Sequence, residues 1–328
     1  MPMIDVFNSD AFSVVSLTDA ILKAPYKPGR IGALRLFRER GITTTTVVVE
    51  EKDGQLTLIQ TSPRGGPAST IGNKKRTARS FVVPHLERES VILADSVQNV
   101  RAFGSENNQQ AVQAIVNERL ADLRAMHEVT LEHLRMGALQ GIVLDADLST
   151  LFNLFTEFGV AQQTADLDVA ADIRNQCVAI QRLIETELGA EPVSNYRAFC
   201  GDDLFDALVA ADAVKDSFKH QEGAVLRADL RGGFSYGGIV WENYRGSVGA
   251  VDFIEADHAY VFPEGTNIFA TYFAPADFME TVNTVGLPLY AKIAVDQELN
   301  RWAKAHSQSN PLALCLRPRA VVKVGLAT

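Results

Sequence analysis

Residues 106–140, Glu106 to Gln140, read ENNQQAVQAIVNERLADLRAMHEVTLEHLRMGALQ. The run has no Pro, and its first Gly is Gly137. Ala111, Val112, Ile115, Val116, Leu120, Leu123, Met126, Leu131 and Leu134 recur by threes and fours. That spacing lays one apolar stripe along a helix. Ser105 suits the N-cap, Glu106 puts negative charge in the first turn, and Gly141 suits the C-cap. At 1.5 Å per residue the helix is a rod of roughly 50 Å, far longer than an average helix of about 11–12 residues. A rod of that length can run from end to end of a flat domain, and we read it as a spine.

The chain around it has 328 residues, 47% of them hydrophobic and 22% charged, the balance of a folded protein with a real core. Its length allows two domains or one large elongated one. No run of about 18 apolar residues is present, so no transmembrane helix is expected. The first residues lack the basic-then-apolar layout of a signal peptide. Cys177, Cys200 and Cys315 lie far apart, which fits buried thiols in a reducing compartment. A net charge of −9 argues against general nucleic-acid binding, because phosphate contacts need a positive field. It is compatible with a wall that encloses nucleic acid without adhering to it.

Upstream of the spine, Leu17–Leu22 is expected as a short helix, with Pro25, Pro28 and Gly29 ending it. Residues 32–41 read as a further helical turn. Thr43–Val49 is a β-branched strand, and Asp53-Gly54 then turns into QLTLIQ as a hairpin. Residues 62–76 are a Gly-, Pro- and Ser-rich loop, and Ser80–Val83 resumes as a strand. From Gly54 to Leu86 there is no Asp or Glu, while Arg64, Lys74, Lys75, Arg76 and Arg79 are all present. A basic loop on an acidic chain is suited to lie over an acidic neighbour.

Downstream, residues 141–147 and 151–160 read as a hairpin, and 168–188 and 202–211 as helices. From Gly232 the chain turns to short strands between Gly and Pro signals. Residues 298–306 read as a helical piece, and 312–324 as one or two closing strands interrupted by Pro318.

The search for chemistry finds little. His127 and His133 are six apart on the spine, about 240° around the helix, so they cannot share an ion. Asp145 and Asp147 share a strand face, and Asp252, Glu255, Asp257 and His258 crowd one strand and turn. Cys200, followed by Gly201, Asp202 and Asp203, could pair with His220 or His258 as nucleophile and base. A buried thiol before a helix start is the commoner case. Arg245-Gly246-Ser247-Val248-Gly249 lacks the GxSxG spacing of a hydrolase elbow, and no GxGxxG, HExxH or phosphate-loop motif occurs. No cofactor, metal or catalytic residue is expected. A hydrolase built on Cys200 remains the alternative, as does a tail-type structural protein.

The β-rich segment carries a resemblance. Its four pieces are Gly237-Gly238 to Tyr244-Arg245-Gly246, then Phe262-Pro263-Glu264-Gly265, then Ala274-Pro275-Ala276-Asp277, then Thr281-Val282-Asn283 to Gly286-Leu287-Pro288-Leu289-Tyr290-Ala291-Lys292. They resemble the lambda-type major capsid proteins of tailed bacteriophages, the capsid protein E family. Leu36-Phe37, Phe81 to Pro84 and the spine follow the order of such proteins.

The resemblance implies an α+β capsid fold and no enzyme activity. It implies an N-terminal arm at 1–42, an extended E-loop at 43–95, and a peripheral domain at 96–165 holding the spine at 106–140. An axial domain at 166–286 and a C-terminal segment at 287–328, returning to both domains, complete it. Arg64, Lys74, Lys75, Arg76 and Arg79 become the expected inter-subunit contacts. The implied partners are copies of the chain in hexamers and pentamers, a separate scaffolding protein, a portal, and a decoration protein at three-fold positions. The shell encloses double-stranded DNA without sequence-specific binding, and no membrane is involved. It belongs to the virion, is assembled in the host bacterial cytoplasm, and expands from a procapsid on packaging. Some relatives join an E-loop Lys to a neighbour's Asn. Lys74 and Lys75 would permit that, although lambda-type shells do without it.

Overall fold

The computed structural model describes residues 10–24, 29–52, 76–97, 108–189, 191–219, 232–248 and 251–327. In chain order, α1 (Val14–Lys23) and α2 (Arg30–Ala33) precede β1 (Arg38–Gly41), β2 (Thr46–Lys52), β3 (Arg76–Val82) and β4 (Leu86–Leu93). A short α3 (Ala94–Val97) is followed by the spine, α4 (Asn108–Gln140). Then come β5 (Ile142–Leu144), β6 (Thr150–Asn153), α5 (Leu154–Phe158), β7 (Gln163–Leu167), α6 (Ile173–Leu188) and β8 (Asn195–Cys200). After α7 (Asp202–Ala210) and α8 (Asp212–Lys219) the chain is almost all β. It runs through β9 (Phe234–Tyr236), β10 (Ile239–Asn243), β11 (Ser247–Val248), β12 (Val251–Asp252), β13 (His258–Glu264) and β14 (Phe269–Phe273). The last strands are β15 (Tyr290–Val295), β16 (Trp302–Ser309), β17 (Pro311–Cys315) and β18 (Val322–Leu326).

The spine is 33 residues long among the described residues, and it ends where Gly141 takes φ +90°. Ser105 and Glu106 lie outside the described residues. The predicted stripe holds at Val112, Val116, Leu120, Leu123 and Leu134, all buried, while Met126 is 54% exposed. The stripe fails at Met126 because charged side chains take the inward positions in that part of the helix. From Leu134 to Leu139 every residue is buried, so the helix ends inside the core.

Six strands in the order β7-β18-β13-β8-β10-β9 form the main sheet. Its register sets Tyr260 and Glu242 on either side of Phe199, and Val261 and Trp241 on either side of Ala198. One face therefore carries Ala198, Cys200, Trp241, Ala259 and Val261. The other carries Arg197, Phe199, Glu242, Phe262 and Glu264. Both faces are covered, which is why the strands read as apolar runs rather than alternations. Smaller sheets have the orders β1-β14-β17 and β15-β16-β4, and β2-β3, β5-β6 and β11-β12 are two-stranded.

Four expectations change. Residues 298–306 are not helical, because Trp302–Ser309 is the central strand between β15 and β4. Ala303, Ala305 and Ser307 alternate into the core, and the Asp296 carboxylate turns the chain beforehand by accepting the amides of Glu298 (3.1 Å) and Arg301 (3.2 Å). Residues 32–41 give one turn of helix and then strand β1, with Arg35 at φ +51° between them. β2 pairs with β3, Val47 opposite Phe81. Asp53-Gly54 and QLTLIQ lie outside the described residues. Residues 151–160 hold a strand and also helix α5, because the Asn153 side chain caps the amides of Phe155 (3.1 Å) and Thr156 (3.2 Å).

Candidate functional site

The basic stretch is partly in view. Arg64, Lys74 and Lys75 lie outside the described residues, while Arg76 opens β3. Arg79, also in β3, places its guanidinium 5.2 Å from the centre of the Phe158 ring within its own chain. Phe81 from the same strand meets Phe152 and Phe158, so one face of the β2–β3 ribbon is fastened to the body. The other face shows Val48 (59%) and Val82 (65%) to solvent.

The residues that could have done chemistry do something else. Cys200 is wholly buried at the end of β8, and burial pushes its thiol well above the usual range. Burial likewise pushes Cys177 and Cys315 up to about 12. A thiolate is the reactive form, so none of these is an activated nucleophile. His220 lies outside the described residues. We expect the native protein to resist a thiol reagent such as DTNB, and all three cysteines to react once it is unfolded. Fast reaction of one thiol in the native state would reopen the hydrolase reading.

Asp145 and Asp147 shape the β5–β6 turn. Asp145 accepts the amide of Ala146 at 2.7 Å, and Asp147 accepts that of Ser149 at 2.9 Å. The hydroxyl and amide of Ser149 hold the Asp147 carboxyl below the usual carboxylate range. Glu255, Asp257 and His258 do come together, with possible ligand atoms within 4.8 Å of one another, and Lys323 already pairs with Glu255 at 3.0 Å. Asp252 is not in that group. His133 packs on the Phe253 ring, 5.1 Å between centres, whereas His127 meets the Ser307 hydroxyl at 2.9 Å.

His127 has a consequence for stability. Burial between the spine and β16 pushes its pKa down to about 4, against a hydrogen bond with the Ser307 backbone that raises it, and the nearby Arg88 charge adds to the lowering. Between about pH 6.5 and pH 4 the unfolded chain takes a proton that the native chain refuses, so stability falls as pH falls. By linkage, the loss from pH 7 to pH 5 is on the order of 2 kcal/mol. Urea unfolding at both pH values should show that loss in the wild type and not in His127→Gln.

What the apolar pattern hid is a network of buried charge. Arg197 stands between Glu242 and Glu264 on the flanking strands, at 2.8 Å and 2.5 Å. Glu242 is 4% exposed and also receives the Arg30 guanidinium of α2, whose Nη2 lies 2.8 Å away. Its hydrogen bonds raise the pKa of Arg30 further. Nearby, Glu132 of the spine accepts the amides of Ile31 (2.7 Å) and Gly32 (3.3 Å) and the hydroxyl of Tyr244 (3.2 Å). Burial first, and the Glu132 charge second, keep the Tyr244 hydroxyl protonated. Arg135 reaches Glu39 at 2.7 Å. The signal was present as Arg124, Glu128, Glu132 and Arg135, charged residues at helical spacing on one side of the spine.

These groups have permanent partners inside the chain, which is the use of charge expected for fixing geometry rather than for turnover. The chain is 25% identical to the major capsid protein of Salmonella phage Felix O1 over 359 aligned positions, covering 95% of this chain and 96% of that protein. It is 24% identical to the major capsid protein of Pseudomonas phage KPP10, with 95% and 96% covered. Its fold is similar to that of the cyanophage A-1(L) capsid, with a TM-score of 0.53 over 92% of this chain and 94% of that one at 10% identity. Residues 13–326 match the family described as phage major capsid protein E. The chain belongs to that family.

Proposed function

We infer that this chain is the repeating subunit of a phage head shell. Copies associate as hexamers and pentamers, and these close into an icosahedral capsid around double-stranded DNA. The observation that carries the reading is the family match over residues 13–326. The chain is a structural protein of the virion capsid, and its task is assembly. Each subunit makes many weak contacts, which closed symmetry multiplies into a stable wall.

In this reading residues 1–42 are the N-terminal arm, 43–95 the E-loop, 96–165 the peripheral domain, 166–286 the axial domain and 287–328 the returning C-terminal segment. Support for the E-loop comes from β2 and β3, which pair across the intervening residues 53–75. Arg64, Lys74, Lys75, Arg76 and Arg79 are the charged contacts we assign to neighbouring subunits. A scaffolding protein, a portal and a decoration protein at three-fold positions are the further partners. Assembly takes place in the host bacterial cytoplasm through a procapsid that expands on packaging. No helix among the described residues is long and apolar enough to cross a membrane.

Sedimentation velocity of the purified chain, alone and with its scaffolding protein, tests the reading. Capsomer-sized or larger particles are expected. A single small species under both conditions would contradict it.

A further inference from the structure

Among the described residues the buried apolar side chains form two separate clusters, and the spine serves both. Val112, Val116 and Leu120 belong to the smaller one, together with Leu17 and Ile21 of α1. Leu134 and Leu139 belong to the larger one, together with Ile31 of α2. Leu123 is still buried between them, but from Arg124 to Glu132 the buried side chains of the spine are polar. Arg124 and Glu128 pair at 2.6 Å with their side chains 12% and 13% exposed, and His127 and Glu132 are buried.

The ends of α1 and α2 meet the spine on this polar waist, and each meets a charge of the right sign. Helix C-termini leave carbonyls unsatisfied, and N-termini leave amides. The Arg124 guanidinium donates to the carbonyls of Ile21 (2.8 Å), Leu22 (2.5 Å) and Ala24 (3.0 Å), where α1 ends. The Glu132 carboxylate accepts the amides of Ile31 and Gly32, where α2 begins. Eight residues separate the two side chains, about 12 Å along the axis. Each N-terminal helix thus packs in a different cluster, and the spine clamps both through the buried polar side chains between them.

We propose that α1 and α2 together act as a splint. They couple the two clusters into one cooperative unit across the polar waist of the spine, and releasing either clamp lets the smaller cluster open independently of the main sheet. Buried hydrogen bonds suit this role. Apolar contacts weaken gradually as they slide, whereas a buried carboxylate that loses its donors is left unsatisfied, so the clamp opens as a unit. Gly29, the N-cap of α2, is part of the lock. A Cβ there would fall 2.2 Å from Cδ of Glu132, so in Gly29→Ala the carboxylate and the start of α2 can no longer keep their present contact.

Hydrogen exchange of the full-length chain, with wild type and variants in the same assembly state, tests this. Gly29→Ala touches only the α2 end, in the larger cluster. The splint predicts that exchange nevertheless rises about tenfold or more at Leu17–Leu22 and Val112–Leu120, with β8 and β13 unchanged. Arg124→Ala should give the same pattern from the α1 end. If that variant fails to fold, Gly29→Ala carries the test. A change confined to Ile31 and Gly32, an even rise that includes β8 and β13, or no change would each overturn the proposal.

Discussion

Replacing Glu242 by Ala is expected to cost about 3–5 kcal/mol of folding stability, the range for removing one partner from a buried ion pair. The carboxylate holds two guanidinium groups, Arg197 at 2.8 Å and Arg30, and its side chain is only 5% exposed. Its loss leaves Arg197, itself 13% exposed, sharing its charge with Glu264 alone. The cost is that of stranding a charge, and a large part of it should vanish when the partner is removed as well. The double substitution Arg197→Met with Glu242→Met should therefore lose much less than the sum of the single ones. Urea unfolding of the unassembled chain measures all three. If Glu242→Ala lies within 1 kcal/mol of wild type, the network contributes little to stability.

The second large effect concerns assembly. Reversing Arg64, Lys74 and Lys75 to Glu should abolish shell formation while the folded subunit survives. These residues occupy the acid-free stretch of an acidic chain, so a facing copy is expected to present negative charge there. Like charges brought together at an interface cost several kcal/mol. That penalty recurs at every copy in a closed shell. Arg79 is best left in place, because its contact with Phe158 lies within the chain. Reversal of exposed Arg182 and Lys215 serves as the control, since it also makes the chain more acidic but lies on α6 and α8. Light scattering during assembly should fall to baseline in the first variant and not in the control. Equal loss in both would mean that net charge matters and the basic stretch does not.

The parts of this fold that were legible in the sequence are those whose signal is local and periodic. The spine, α6, α7 and the closing strands β17 and β18 have their spacing and their stop residues in the chain itself. Trp302–Ser309 was misread because its alternation is short and small residues fill it. Only pairing with β15, just before it in the chain, and with β4, far away in sequence, makes it a strand. The charged network was missed for a related reason. Arg197, Glu242 and Glu264 come from strands that only sheet order makes neighbours, and the packing of α2 adds Arg30 from far away in the chain. A charged residue in isolation reads as surface, and burial changes its meaning only once its partner is known. The family resemblance was legible because its Gly and Pro pieces sit at fixed order in residues 237–292.

The central claim is that this chain builds a closed shell. Negative-stain electron microscopy of the full-length chain, prepared alone and with its scaffolding protein, addresses it most directly. The account predicts closed polyhedral particles or sheets of hexamers, which the reversal of Arg64, Lys74 and Lys75 removes. Uniform monomers or dimers under both conditions, or rings and tubes in place of polyhedra, would contradict it.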